Sequence, residues 1–418
     1  MRHLDVNLVI LVIGCVWPEP NSSAAGSRML QLLHFFQAKN YEITFVSPAA
    51  RSEFSINLNK LNIASEVVKM NHPSFDELLI ELQPNMVLFD RFMTEEQFGW
   101  RVDATCPEAL KILDTEDLHF LRKTRAEAYK KNIAAKTLYL ESDLTKREIA
   151  SIYRCDLSLI ISEVEMELLK DKFKIPDQLL HYLPFLLDSI SEEKIATLPQ
   201  FNSRENFISI GNFLHEPNWN AVVALKEKIW PLIKQKLPKA ALHIYGAYPS
   251  HKVWNLHNEK DRFIVKGRAE NAEEIMRNAR LCLAPIQFGA GLKGKLIQAM
   301  QCGTPSVTSP VGSEGIAGTL DWSGAICQTP QDFAEKAVQL YTNKKLWNTA
   351  RENGFKIINS RFDKTNHSEA FSKQLTALIS NLETRRNENF IGKMLQHHQH
   401  RSTYFMAKFI EEKERNRS

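Results

Sequence analysis

Apolar and polar positions switch between two rhythms along this chain, and the switching predicts an α/β protein. Residues 8–13, 43–46, 86–89, 109–113 and 157–161 are short apolar runs of strand length. Longer amphipathic or polar segments separate them. In residues 27–39, Met29, Leu32, Leu33 and Phe36 recur at helical intervals and share one face. A long polar, helix-like stretch covers 120–153. Near-continuous apolar strands alternating with helices indicate a parallel sheet covered on both faces.

The rhythm pauses over 184–204, a polar stretch with Pro184, Pro199 and no clear period, which reads as a linker. A second α/β series follows it. Strands are predicted at 207–210, 242–245, 263–265, 281–285, 306–308 and 325–327, and helices at 219–236, 272–279, 295–301 and 331–341. A chain of 418 residues is too long for one core. The expected domains are 1–190 and 200–357, with a helix at about 358–381 packing back on the first and a charged, loosely packed helical tail at 383–418. Two doubly wound, Rossmann-like halves would place a ligand in the cleft between them, at the carboxyl ends of the strands.

Composition changes this picture little. Apolar residues are 44%, charged residues 24% and the net charge +4, ordinary for a soluble domain. The mild positive charge suits an anionic ligand or a membrane surface and does not call for nucleic acid. The six cysteines, at 15, 106, 155, 282, 302 and 327, are too scattered for a metal knuckle or a redox pair. A reducing, cytoplasmic setting is the simplest reading. Arg2 and His3 precede an apolar run over 6–16, and Val12-Ile13-Gly14-Cys15 loosely resembles a lipoprotein cleavage site. A buried first strand is the favoured reading, because the run is short, Asp5 and Asn7 interrupt its start, and a turn and helix follow. His397, His398 and His400 can bind metal, but a solvated face is favoured.

Candidate chemistry concentrates in 289–315. After an apolar strand comes Gly289-Ala290-Gly291-Leu292-Lys293-Gly294-Lys295, opening into a helix. Glycines let backbone N–H groups approach an anion, a helix N-terminus adds donors and partial positive charge, and two lysines supply full charges. Gly289, Gly294 and Lys295 nearly spell a nucleotide-triphosphatase loop, but Leu296 stands where Ser or Thr would hold Mg²⁺. A bare Gly-rich turn with surface lysines is the plain alternative. A second such turn, Pro310-Val311-Gly312-Ser313-Glu314-Gly315, follows the next strand. Two turns on neighbouring strands can bracket one nucleotide. Glu314 can accept from a ribose or sugar hydroxyl, or serve only at a helix start.

These segments resemble the two-domain GT-B glycosyltransferases, and among them the retaining family 4 type. The resemblance rests on residues 289–300, on Cys302-Gly303-Thr304-Pro305, on Gly312-Ser313-Glu314-Gly315, and on Ile210-Gly211-Asn212-Phe213 with His215-Glu216-Pro217-Asn218. It covers about 5–380, with its specific motifs between 207 and 316. In the first domain, Ser22–Arg28 with Gly26 and the segment Asp114–Arg122 with His119 match it. It implies sugar transfer from a nucleotide-diphosphate sugar with retention and without a metal or cofactor. It implies His119, Lys293 and Arg28 at the reaction centre. It implies Gly26, Gly211, Asn212, Gly289, Gly291, Lys295, Gln298, Gly312, Ser313, Glu314 and Gly315 around the donor. Family members commonly carry Glu, seven residues, then Glu; here those positions are Ala290 and Gln298. The implied acceptor is a glycan, a lipid-linked compound or a small molecule, and the basic tail allows peripheral contact with the inner face of the membrane. Two other readings stand beside it. One is a sugar-nucleotide 2-epimerase using Asp114, Glu116 or Asp117. The other is a sugar-nucleotide-binding protein with weakened catalysis.

Overall fold

The apolar runs become strands of two parallel sheets in the computed structural model, which describes residues 8–133 and 142–416. In the first sheet β1 (Val9–Ile13) lies centrally, flanked by β2 (Glu42–Ser47) and β3 (Ala64–Val67) on one side. On the other side lie β4 (Met86–Asp90), β5 (Leu110–Asp114), β6 (Leu157–Ile160) and β7 (Leu180–Tyr182). The second sheet repeats the plan around β8 (Glu205–Ile210). There β9 (Leu242–Tyr245) and β10 (Phe263–Gly267) lie on one side, and β11 (Ala279–Ala284), β12 (Ser306–Thr308) and β13 (Gly324–Ile326) on the other. Every pairing within both sheets is parallel. The strand order reverses beside β1 and beside β8, which opens a crevice at the carboxyl end of each sheet. The fold is therefore two doubly wound Rossmann-like domains facing a cleft.

The chain crosses between the domains twice, side by side. Leu187 and Asp363 form a parallel bridge, and the Leu187 N–H donates to Phe362 O at 2.9 Å. Phe185, Leu187, Ile190 and Leu198 are buried with Ile357, Ile358 and Phe362. This corrects the expectation of a plain polar linker: its apolar residues pack, and it contains the helix Glu192–Thr197. The helix Lys364–Ser380 lays Phe371 against Phe35 at 4.8 Å between ring centroids, inside the first domain's core.

The tail also differs from a loose one. The helix Phe390–Arg415 docks on the first domain, with Tyr404 edge-on to Trp100 at 5.5 Å and Gln396 Nε2 donating to Arg154 O at 3.0 Å. Just before it, Arg386 pairs with Asp156 at 2.7 Å. His397 and His398 are exposed. Among the described residues no cluster of three metal-ligating side chains forms, and no helix is long and apolar enough to cross a membrane. The predicted 120–153 stretch is two helices, His119–Lys131 and Asp143–Arg154. Residues 134–141 of that stretch, and Arg2, His3, Asp5 and Asn7 at the start, lie outside the described residues.

Candidate active site

The β11 strand ends at Ala284, and the loop beyond it leads into the helix Gly294–Gln301. No side chain caps that helix at Lys293, so its start is open to an anion. Lys293 Nζ donates to the carbonyls of Gly291 (2.8 Å) and Ala290 (3.2 Å). Lys295 Nζ donates to Asn218 Oδ1 at 2.6 Å. Neither ammonium has an ion-pair partner among the described residues. Burial lowers both to about 8, although Glu314 pulls Lys293 the other way. A Cβ at Gly211 would lie 2.6 Å from Lys295 Nζ and 2.7 Å from Asn218 Cγ. Glycine at the end of β8 therefore leaves room for that pair. The Asn212 carbonyl fixes Asn218 through Nδ2 at 2.8 Å, while the Asn212 side chain accepts from Leu214 N–H at 2.9 Å.

The opposite wall is built at the end of β5. The helix His119–Lys131 starts after Leu118, which has no side chain able to cap it. Carboxylates from two other helices serve instead. Glu148 accepts from the N–H groups of His119 (3.0 Å) and Phe120 (2.8 Å), and Glu165 from that of Leu118 (3.1 Å). Burial pushes Glu148 up to about 8 and Glu165 up to about 7. The His119 ring stands edge-on to Phe92, with Nε2 3.5 Å from Asp117 Oδ1, and Asp117 is gripped by Arg122 at 2.8 Å. Burial drives His119 down to about 4, against the pull of Asp117, so the ring is neutral at physiological pH. His215, from the second domain, is lowered by burial and feels Arg122, Asp117 and Lys295. It joins the two halves of the site.

The second turn meets the first domain as well. Arg125 binds Glu314 in two prongs, at 2.6 and 2.8 Å, and its Nη1 also donates to Gly289 O at 2.9 Å. Gly291 has φ +61°, and a Cβ there would lie 2.8 Å from Asp117 Cβ. Gly315 has φ +74°, and a Cβ there would lie 2.6 Å from Ser162 Oγ. Both glycines permit close approach of the domains.

Residues 204–343 match the family model described as Glycosyl transferases group 1. That match lies within the second domain and covers about a third of the chain. Sucrose-phosphate synthase from Thermosynechococcus elongatus superposes with a TM-score of 0.64 at 14% identity, covering 89% of this chain and 99% of that one. HepE of Anabaena, solved with UDP and glucose, gives 0.63 at 13% identity over 88% of this chain and 99% of its own. WaaG, a glycosyltransferase involved in lipopolysaccharide biosynthesis, gives 0.57 at 12% over 87% and 98%. At such identities the likeness is one of fold, and that fold is GT-B. No curated protein sequence matches the chain.

Within this glycosyl transferase fold, most of the expected site residues gather at the cleft. Lys293, Lys295, Gly289, Gly291, Gly211, Asn212, His119, Glu314 and Gly315 line or shape it. Ser313 and Gly312 sit in the short helix Pro310–Ser313; a Cβ at Gly312 would lie 1.9 Å from Thr308 Oγ1, so that glycine serves packing. Gln298 is half-buried one turn into its helix. One expectation is corrected. Arg28 is 1% exposed, with Nη2 2.8 Å from Asp114 and Nη1 donating to Leu183 O at 2.7 Å. Its guanidinium is consumed inside the first domain and reaches no phosphate. Gly26 packs on the Glu19 backbone, 2.5 Å from where its Cβ would lie, and nearby Ala24 approaches Gly294 at the start of the lysine-loop helix. Sequence reasoning missed Arg125, Glu148 and Glu165. Arg125 lies one turn beyond Arg122 on the His119 helix, which is its only signal.

Proposed function

We propose that this chain transfers a sugar from a nucleoside-diphosphate sugar to an acceptor hydroxyl, with retention and without a metal. The observation that carries the reading is the pair of half-buried lysines, Lys293 and Lys295, held by neutral oxygens beside an uncapped helix start. Ammonium groups withdrawn from water without a counter-ion favour a bound anion. A diphosphate supplies the charge and the oxygens.

In the proposed reaction the bond between the sugar's anomeric carbon and the diphosphate oxygen breaks. The electron pair leaves with the diphosphate, where the lysines and the helix start stabilise it. The acceptor oxygen bonds the anomeric carbon on the same face, and its proton passes to the leaving phosphate. His119 Nε2 is buried and has no hydrogen-bond partner, so it is free to orient a sugar hydroxyl. Structures of HepE contain UDP and UDP-glucose, which makes uridine nucleotides the first donors to try. The epimerase reading loses two of its three acids, because Asp114 is locked by Arg28 and Asp117 by Arg122, which leaves Glu116 alone. The acceptor is a glycan, a lipid-linked compound or a small molecule. Peripheral membrane contact in the cytoplasm would use the exposed Phe405, Met406 and Phe409 of the terminal helix, and sedimentation with anionic vesicles tests it.

Calorimetric titration with UDP and UDP-glucose, then mass spectrometry of products, tests the main reading. Binding and a new glycosidic product are expected, and EDTA should leave the rate intact. Failure to bind any nucleoside diphosphate, or a strict metal requirement, overturns it.

A further inference from the structure

The helix Glu163–Asp171 of the first domain meets the second domain at its first turn. Glu163 pairs with Arg361 at 2.5 Å, Ser162 stands where a Cβ at Gly315 would collide, and Glu165 reaches the donor loop. Glu165 is 1% exposed. Its Oε1 accepts two N–H groups, from Leu118 at 3.1 Å and from Gly291 at 2.8 Å. One belongs to the turn that presents His119 and the other to the loop that presents Lys293. Its Oε2 is buried and has no partner.

Withdrawing a carboxylate from water is costly, and leaving one oxygen unmatched adds to that cost. Nothing in the first domain's own packing requires it, since an N–H of Leu118 alone could be met by a neutral acceptor. The contact with Gly291 explains the placement, because one side-chain oxygen there meets N–H groups of both domains. Gly291 is shaped for this approach, with φ +61° and no side chain to strike Asp117.

We propose that Glu165 is a positioning residue that fastens the donor loop to the His119 turn when the cleft closes. One oxygen atom then fixes the distance between the group that orients the sugar and the lysines that hold its leaving group. Opening the cleft breaks the Gly291 bond and keeps the Leu118 bond, so Glu165 stays in place for the next closure. The catalytic use of this clasp rests on the transfer reading above; the clasp itself does not.

Hydrogen exchange in segment 285–295, measured without ligand, tests the clasp. The segment should be protected in the wild type. Glu165→Ala should speed its exchange at least tenfold, while Glu165→Gln, whose amide oxygen can still accept both bonds, should stay within threefold. With UDP-glucose as donor probe, Glu165→Ala should lose at least thirtyfold in kcat while UDP affinity changes less than threefold. Glu165→Gln should recover a third or more of the wild-type kcat. Free exchange of 285–295 in the wild type overturns the proposal, and so does unchanged exchange in Glu165→Ala. Equal kinetic losses in both variants, tracking equal losses of Tm, would reduce Glu165 to a structural residue and overturn it too. If the wild type binds no UDP, the transfer reading falls and the exchange result alone decides the clasp.

Discussion

Arg125 and Glu314 form a two-pronged ion pair across the cleft, with Nη1–Oε2 at 2.6 Å and Nη2–Oε1 at 2.8 Å. The same Nη1 holds Gly289 O at 2.9 Å. One guanidinium from the first domain thus ties down both Gly-rich turns. If Glu314 takes the proposed ribose hydroxyl, the nucleotide must compete with Arg125 for that carboxylate. Arg125→Ala is expected to tighten UDP binding up to about fivefold while slowing transfer, because the free carboxylate gains and closure loses. Stability should change by less than about 1 kcal/mol, as is usual for partly exposed pairs. Calorimetry checks the sign; UDP binding weakened more than threefold would make Arg125 itself a donor ligand.

Lys295→Met separates function from stability. The half-buried ammonium lies against Asn218 with no carboxylate partner among the described residues, and desolvation lowers it to about 8. Removing the charge should raise Tm by about 2–4 °C, the response to roughly 1 kcal/mol in a domain of this size. UDP affinity should fall at least tenfold, because the leaving diphosphate loses a cation. Lys293→Met should behave alike. A variant that loses Tm and keeps its affinity would place these lysines outside the donor site.

The strands and the lysine loop were legible because they follow local rules. Apolar runs marked eleven of the central and edge strands within a residue or two, and glycines ahead of a helix marked the anion loop. β3 escaped, since Ala64, Glu66 and Val67 are exposed on an edge and form no apolar run. β7 escaped because His181 interrupts its short apolar run. The tail read as loose because its charged surface hides a docked face, where Ala407 is 1% exposed. Buried charges were the least legible feature. Arg28 and Lys295 look equally basic in sequence. Only the fold shows that Arg28 faces Asp114 and that Lys295 faces a neutral amide.

Arg28 therefore carries a stability prediction. Arg28→Met leaves Asp114 buried and unpaired, which typically costs about 3–5 kcal/mol. The double variant Arg28→Met, Asp114→Leu should recover much of that loss, since an apolar pair replaces an ion pair. UDP affinity of the folded fraction should match the wild type in both. Urea unfolding with calorimetry on folded samples reads the two quantities separately. A tenfold affinity loss at preserved stability would return Arg28 to the donor site.

The buried acids and histidines set an unusual pH profile for stability. Glu148 and Glu165 are raised to about 8 and about 7 by burial, while the unfolded chain titrates near the ordinary carboxylate value, about 4.3. The folded state thus holds protons that the unfolded state has released, so stability rises as pH falls through 8 and 7. Asp90 and Glu116, raised in the same direction, add to the rise. His119 and His181 are lowered to about 4, so the folded state refuses protons that the unfolded chain binds near 6.5. Their contribution is lost as pH falls from about 6.5 towards 4, at about 1.4 kcal/mol per pH unit for each histidine. Lys293 and Lys295, near 8, are charged in both states below that pH and contribute no slope there. Thermal melts should show Tm climbing from pH 8.5 to about 6.5 and then levelling. Glu148→Gln should raise Tm at pH 8 and flatten the climb. A Tm that falls steadily from pH 8 to 5 would mean that these carboxyls are solvated and that the His119 turn is not held as described.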